Sequence, residues 1–230
     1  MSMPVIFVEA ETIAEAWEKA ILEVWSRGIL KLTQYKVMGK EGPVNQLSKA
    51  ATALIVVDKP LKEPRVHAGD LMAQQALKLG YIEEVVEGTK DYYVEEGKWD
   101  YTYHERLTSY KVPTLKPLNQ IEKILEKIVR SGEIYSRRLQ AVTWQAWKDL
   151  ETESPPCLQR IWVTIPTTHV KPKPGETYQL NIQSSWRSRD LLDAWCANVN
   201  AIVELCVRKI VKPLNEAFEG LGVRLSLIHI

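Results

Sequence analysis

Residues 155–198 read PPCLQRIWVTIPTTHVKPKPGETYQLNIQSSWRSRDLLDAWCAN, and they set the architecture. Residues 160–165 (RIWVTI) and 178–184 (YQLNIQS) are strand-like runs, and the proline-rich stretch 166–175 between them is a turn, so the two runs are expected to pair. From Asp190 the period changes. Leu191, Trp195, Val199, Ile202, Cys206 and Ile210 fall on one side of a helical wheel, with Asn198 at the edge of that buried face. An amide there must find a partner, in the protein or in a ligand.

Working outward, residues 4–9 (PVIFVE), 29–37 and 53–57 (ALIVV) read as strands, and 138–144 alternates well enough for another. Residues 12–25 carry Ile13, Trp17, Ile21, Leu22 and Trp25 at helical spacing and stop at Gly28. Residues 70–87 read as one helix with Asp70 as its N-cap, and 119–129 as a second that ends at Gly132. Residues 39–44 and 88–100 are loops. Helices and strands alternate without strict βαβ regularity. The expected fold is mixed α/β (α+β), one large mixed β-sheet flanked by helices, in a single domain over residues 1–230. The last six residues, 225–230 (LSLIHI), resemble the translation of a common transposon-end sequencing adapter. On that reading the biological chain runs on past Arg224, and His229 has no role.

Composition narrows the function. The 230 residues are 45% hydrophobic with a net charge of +1, which gives no general attraction to nucleic acid or to an anionic membrane. Anion binding would have to come from local arginines. Three cysteines without a CxxC pair argue against a disulfide framework and a zinc site, and suit a reducing cytoplasm. The N-terminus lacks the pattern of a signal peptide, and no apolar run is long enough to span a bilayer. A cytoplasmic protein without a metal is expected.

Cys157 follows two prolines that fix the backbone ahead of it. A cysteine is a nucleophile only as thiolate, and its ordinary pKa of about 8.5 must be lowered by nearby positive charge. Arg160 and the arginines at 137, 138, 187 and 189 could supply that charge if they converge. Against this stands the frequent use of cysteine as a small buried hydrophobe, the reading that suits Cys196 and Cys206 in the apolar helix. Arginine forks match phosphate oxygens bidentately, and Ser188 adds a hydroxyl donor beside Arg187. Adjacent strand residues point to opposite faces, so Arg137 and Arg138 serve one site only at an edge or an irregular strand. Taken singly, charged runs of this kind are usually solvated surface.

The combined order is more specific. Ser136-Arg137-Arg138, then Trp144, then Pro155-Pro156-Cys157, then Arg187-Ser188-x-Asp190, then an asparagine eight residues after the aspartate resembles the thymidylate synthase family. The resemblance is clear over 99–198 and holds in outline over the first hundred residues, which look closer to the short archaeal-type members. It implies a sheet-to-sheet homodimer that converts dUMP to dTMP with methylene-tetrahydrofolate, or an archaeal pterin analogue, as carbon donor. Cys157 matches the nucleophile that attacks C6 of uracil, and Tyr103 the tyrosine that assists proton removal at C5. Arg187 and Ser188 match the phosphate-binding pair of the same subunit. Arg137 and Arg138 match the pair lent across the dimer, which places them at a subunit edge. Asn198 matches the amide that reads the O4/N3 edge of uracil, and Asp190 the carboxylate that contacts the pterin.

Three positions depart from the family pattern. Leu158 stands where histidine is usual, Trp186 where glutamine is common, and Ala194 where a glycine is found. The ribose-binding His-x-Tyr pair and the segment that closes over the folate should lie beyond Arg224. Glu83 and Glu84 are candidates for the glutamate of the proton relay, and His67 and His104 have no assigned role. The departures at 158 and 186 keep a pyrimidine nucleotide C5-hydroxymethylase open, and the absent segments keep open a non-catalytic nucleotide-binding relative.

Overall fold

The computed structural model describes residues 2–229 apart from 41, 133, 153, 171–172, 174, 188–189 and 219–221; of 34, 35 and 222–229 it describes the backbone alone. The chain begins with β1 (Val5–Ala10) and α1 (Ile13–Arg27). β2 (Ile29–Gly39) and β3 (Gly42–Ala50) form an antiparallel hairpin of their own, followed by β4 (Thr52–Val57). The helices α2 (Leu71–Lys78), α3 (Tyr81–Glu87), α4 (Tyr92–Glu95), α5 (Tyr103–Thr108) and α6 (Gln120–Ser131) come next. The rest is β5 (Gln140–Val142), α7 (Ala146–Asp149), β6 (Leu158–Thr164), β7 (Thr177–Trp186), α8 (Cys196–Cys206), α9 (Lys212–Ala217) and β8 (Gly222–His229). Six strands make one mixed sheet in the order β1-β4-β8-β7-β6-β5; β1–β4 and β8–β7 run parallel and the other pairs antiparallel. The expected mixed α/β architecture is therefore present.

The strands bury one face because their sequences alternate. Ile6, Val8 and Ala10 point inward from β1, and Tyr178, Leu180, Ile182 and Ser184 from β7. Val5 and Phe7 point outward and are 67% and 57% exposed, so on β1 the second face of the sheet is uncovered. α1 lays Ile13, Ala16, Trp17 and Ala20 on the inner face. Its first turn is capped by the Thr12 hydroxyl, which accepts from the Glu15 N–H at 3.1 Å. α8 is buried from Cys196 to Val203 without a break, as expected of a helix that is apolar all round. It is entered through a wide turn at Leu191–Trp195, where the Trp195 N–H reaches back five residues to the Asp190 carbonyl at 3.0 Å.

Both edges of the sheet are closed by side chains. The Gln120 amide sits against β5 like a neighbouring strand: its Oε1 accepts from the Val142 N–H at 2.9 Å, and its Nε2 donates to the Val142 carbonyl at 2.7 Å. On β1, Arg27 donates to the Val5 carbonyl at 3.0 Å and Lys19 to the Glu9 carbonyl at 2.9 Å.

Several local expectations need correction. Residues 42–50, partly read as loop, form β3; its side chains stay exposed, so no inward-facing apolar alternation marks it. The helix expected over 70–87 is broken at Gly80, whose φ of +83° starts a second helix, while Asp70 does cap the first by accepting from the Ala73 N–H. The loop expected over 88–100 contains the short α4. The strand expected over 138–144 is only β5, and Arg137 and Arg138 lie in the turn before it. Thr143 still donates its N–H to the Gln159 carbonyl at 3.0 Å, but its own carbonyl accepts from Arg106 at 2.9 Å, and the ladder ends there. The backbone of 225–229 runs as the end of β8 between β4 and β7, which leaves the adapter-like reading of 225–230 as it stands.

Arg106 is 1% exposed and makes a bidentate pair with Asp149, at 2.9 Å and 2.7 Å. Asp149 also accepts from the Gln145 N–H at 2.6 Å. Removing one member of a buried pair leaves the other charge uncompensated, at a cost of about 3–5 kcal/mol. Asp149→Ala should therefore lower the unfolding free energy obtained from urea titration by that order. Lys123→Ala, which breaks an exposed pair with Glu126, should change it by less than about 1 kcal/mol. Equal effects from the two substitutions would refute this ranking.

Candidate active site

The β6–β7 ladder brings the chemistry-bearing residues together. Leu158 pairs with Trp186, and one step further the Arg187 N–H donates to the Cys157 carbonyl at 2.8 Å. Cys157 and Arg187 are thus cross-strand neighbours at the ends of their strands. The register shifts between Leu158 and Arg160, so Gln159 is an extra residue there. The Gln159 side chain folds back to donate to the Pro156 carbonyl at 2.8 Å, which adds to the stiffness two prolines already impose. The thiol is half-buried.

Tyr103 opens α5 and is buried. Its hydroxyl accepts from the Leu158 N–H at 3.4 Å, one peptide from the cysteine. Its ring meets Trp186 edge-on, with centroids 6.1 Å apart. Two of the three departures from the family pattern, Leu158 and Trp186, are therefore register partners that both border Tyr103. Leu158 is fully buried, and the Trp186 indole N–H donates to Ser184 Oγ at 3.1 Å. Arg187 is exposed, and its Nη2 donates to the Pro155 carbonyl at 3.4 Å. Ser188 and Arg189 lie outside the described residues. Arg160 stands on the outer sheet face, over the Trp162 ring and against Ser185 Oγ at 3.3 Å.

Asn198 projects from α8 and is 5% exposed. Its Nδ2 donates to the Ala194 carbonyl at 2.6 Å, and its Oδ1 accepts from the Tyr81 hydroxyl at 2.7 Å. The amide has found protein partners and retains one N–H and one lone pair. Asp190 is exposed and spends Oδ1 on the first turn of the following helix, accepting from Leu192 N–H at 2.8 Å and Asp193 N–H at 3.2 Å. Arg137 and Arg138 are not brought to this cluster. Both are exposed, and Arg138 projects to the level of Thr164, the far end of β6 from Cys157. Seven residues of strand put roughly 20 Å between them.

The remaining candidates have structural partners. Burial pushes the Cys206 thiol up to about 12; burial, then the neighbouring Asp70 carboxylate, do the same to Cys196. Neither forms a thiolate near neutral pH, which leaves Cys157 as the accessible thiol. Glu83 pairs with Arg208 at 2.9 Å and Glu84 with Lys90 at 2.8 Å. His104 is tied to Asp91 at 2.6 Å, and His67 stacks on Trp17. Among the described residues, no three His, Cys, Asp or Glu side chains converge as a metal site requires, and no helix is long and apolar enough to cross a membrane.

Tyr81 had no place in the sequence reading, because residues 70–87 looked like one uninterrupted helix. The signal was Gly80 itself. A Cβ there would meet nothing, so the glycine serves its positive φ, and that break sets the start of α3 at Tyr81.

Comparison with known proteins gives the family. Residues 59–212 match the thymidylate synthase family. A protein of Methanopyrus kandleri described as "Putative thymidylate synthase" is 26% identical over 209 residues, covering 87% of this chain and 81% of that one. A protein of Methanococcoides burtonii with the same description is 23% identical over 202 residues, covering 86% and 77%. The thermostable thymidylate synthase A of Bacillus subtilis shares the fold with a TM-score of 0.54 over 95% of this chain and 79% of its own, at 12% identity. With a match across more than half its length, and with the cysteine, arginine and asparagine in family order, the chain belongs to the thymidylate synthase family.

Proposed function

We propose that the protein converts dUMP to dTMP through covalent attack of Cys157 on the uracil ring. One observation carries the reading. The half-buried thiol stands at the head of β6 with Arg187 across the ladder and the Tyr103 hydroxyl against the next peptide N–H. In the step, the Cys157 sulfur bonds to C6 as the C5–C6 π pair moves toward C5 and O4. Asn198 stabilises the charge that develops at O4, through the N–H it has left. C5 takes up the one-carbon unit, and Tyr103 assists the loss of its proton. Expulsion of Cys157 as thiolate then restores the ring. Methylene-tetrahydrofolate, or an archaeal pterin analogue, supplies the carbon and, for a methyl product, the hydride. Asp190 would hold the pterin; an exposed carboxylate already fixed by its cap bonds suits amino-pyrimidine donors.

The surroundings of Tyr103 favour the methyl product over the hydroxymethyl one. Leu158 and Trp186 make an apolar wall there, and the indole N–H is engaged with Ser184. A water poised to add to the one-carbon unit would find few hydrogen-bond partners on that side.

Arg137 and Arg138 act in this reading across a homodimer. Three features support it. The arginines stand far from their own Cys157. The outer sheet face presents Val5 and Phe7 to solvent. The Trp162 indole N–H on that face is sheltered, with no hydrogen-bond partner among the described residues, and an acceptor from a second copy would satisfy it.

Two measurements test these assignments. Cys157→Ala should abolish turnover, with no methylated or hydroxymethylated nucleotide detectable by mass spectrometry, while dUMP binding stays within about threefold; residual turnover would refute the covalent route. For the dimer, Cys157→Ala and the Arg137→Ala/Arg138→Ala double variant should each be inactive alone. Mixed and refolded together, they should recover about a quarter of wild-type activity, because half the dimers are then mixed and each rebuilds one complete site. No recovery would confine the arginines to their own subunit.

A further inference from the structure

The two hydrogen bonds that occupy Asn198 have a chemical consequence beyond holding a buried amide. A peptide carbonyl only accepts, so the atom 2.6 Å from the Ala194 oxygen has to be the amide nitrogen, Nδ2. Oδ1 is then the atom 2.7 Å from the Tyr81 hydroxyl, which donates to it. The amide cannot turn over. A flip would set Oδ1 against the Ala194 carbonyl, two acceptors with no proton between them, and would withdraw the acceptor from the Tyr81 O–H. What remains for a ligand is one N–H beside one lone pair in a fixed left-right order. With the base placed as in the proposed function, C6 at the Cys157 sulfur and O4 at the remaining Nδ2 N–H, that order receives a ring N–H next to a carbonyl, as in uracil at N3 and O4. It mismatches the reversed edge of a 4-aminopyrimidine such as cytosine, which would need the flipped amide.

We infer that Tyr81 is a specificity-determining positioning residue: by donating to Oδ1 it locks the Asn198 amide in the orientation that accepts uracil and rejects cytosine. This rests on the assignment of Asn198 as the base-reading amide, and it adds a residue from another helix. α3 packs along α8, and Gly80 at φ +83° starts α3 so that Tyr81 is its first residue. The Ala194 carbonyl is fixed to the same helix as Asn198 and is available to any asparagine at that position. Tyr81 is the part of the lock that the sequence could lose without disturbing α8.

The test is Tyr81→Phe, which removes one oxygen and keeps the ring. Dissociation constants for dUMP and dCMP would be measured by calorimetry on wild type and variant, with melting temperatures alongside. The wild type is expected to prefer dUMP, and the variant to lose about five- to tenfold of that preference, mainly through tighter relative binding of dCMP. A merely structural role for Tyr81 would weaken both nucleotides alike and leave their ratio unchanged, and that result would overturn the inference. A second readout needs no ligand. The two Asn198 side-chain amide protons should be distinct and slow to exchange in the wild-type NMR spectrum, and the substitution should broaden them or speed their exchange. Unchanged amide signals would likewise overturn the lock. If the wild type binds dUMP and dCMP equally, the base-reading role of Asn198 fails and the inference falls with it. That outcome is told apart by where it appears, in the wild type and not in the variant.

Discussion

A buried charge pair holds the site in place. Arg106 and Asp149 are 43 residues apart in sequence and both shut off from solvent, so neither could be present without the other. The guanidinium also takes the Thr143 carbonyl, and the carboxylate takes the Gln145 N–H. Three segments are pinned at one point: α5, which carries Tyr103; the end of β5; and α7, which leads into the Pro155–Cys157 turn. The Tyr110 hydroxyl reinforces the junction by donating to the Trp144 carbonyl at 2.8 Å. Cys157 and Tyr103 come from remote parts of the chain, and this junction fixes their relative position. A bidentate pair fixes both distance and angle, which apolar packing alone does less sharply.

The parts of this arrangement legible in the sequence are those with local causes. The alternation of β6 and β7, the apolar stripe that became α8, and the cap at Asp70 all follow from residues within a few positions of one another. The order of Cys157, Arg187 and Asn198 carried the family because it is a linear pattern. What stayed hidden has distant causes. The Tyr81–Asn198 bond joins residues 117 apart, and nothing near Tyr81 indicates it. Gly80 could have been an ordinary helix residue; only the packing of α3 on α8 makes its positive φ useful. β5 was expected to be longer because its sequence alternates past Val142, and the ladder ends where the Thr143 carbonyl goes to the distant Arg106.

The two substitutions flanking Tyr103 are better understood as one. Leu158 and Trp186 are direct partners in the β6–β7 register, so a polar side chain at either position would face an apolar one across the ladder. Replacing both keeps the local environment uniform. The tyrosine hydroxyl between them sits in a drier setting than a histidine and a glutamine would provide. Such a setting strengthens the hydrogen bonds the hydroxyl makes and raises the cost of leaving it without one.

The closed edges of the sheet decide how this protein can meet copies of itself. A bare outer strand is a template on which another strand can add, and chains with such edges tend to build ribbons and fibrils. Here the Gln120 amide occupies the ladder positions beside Val142, and the cationic side chains of Arg27 and Lys19 take the carbonyls along β1. Open-ended growth through strand addition is hindered on both sides. Encounters between copies are thereby steered away from lateral strand-by-strand growth, which does not end.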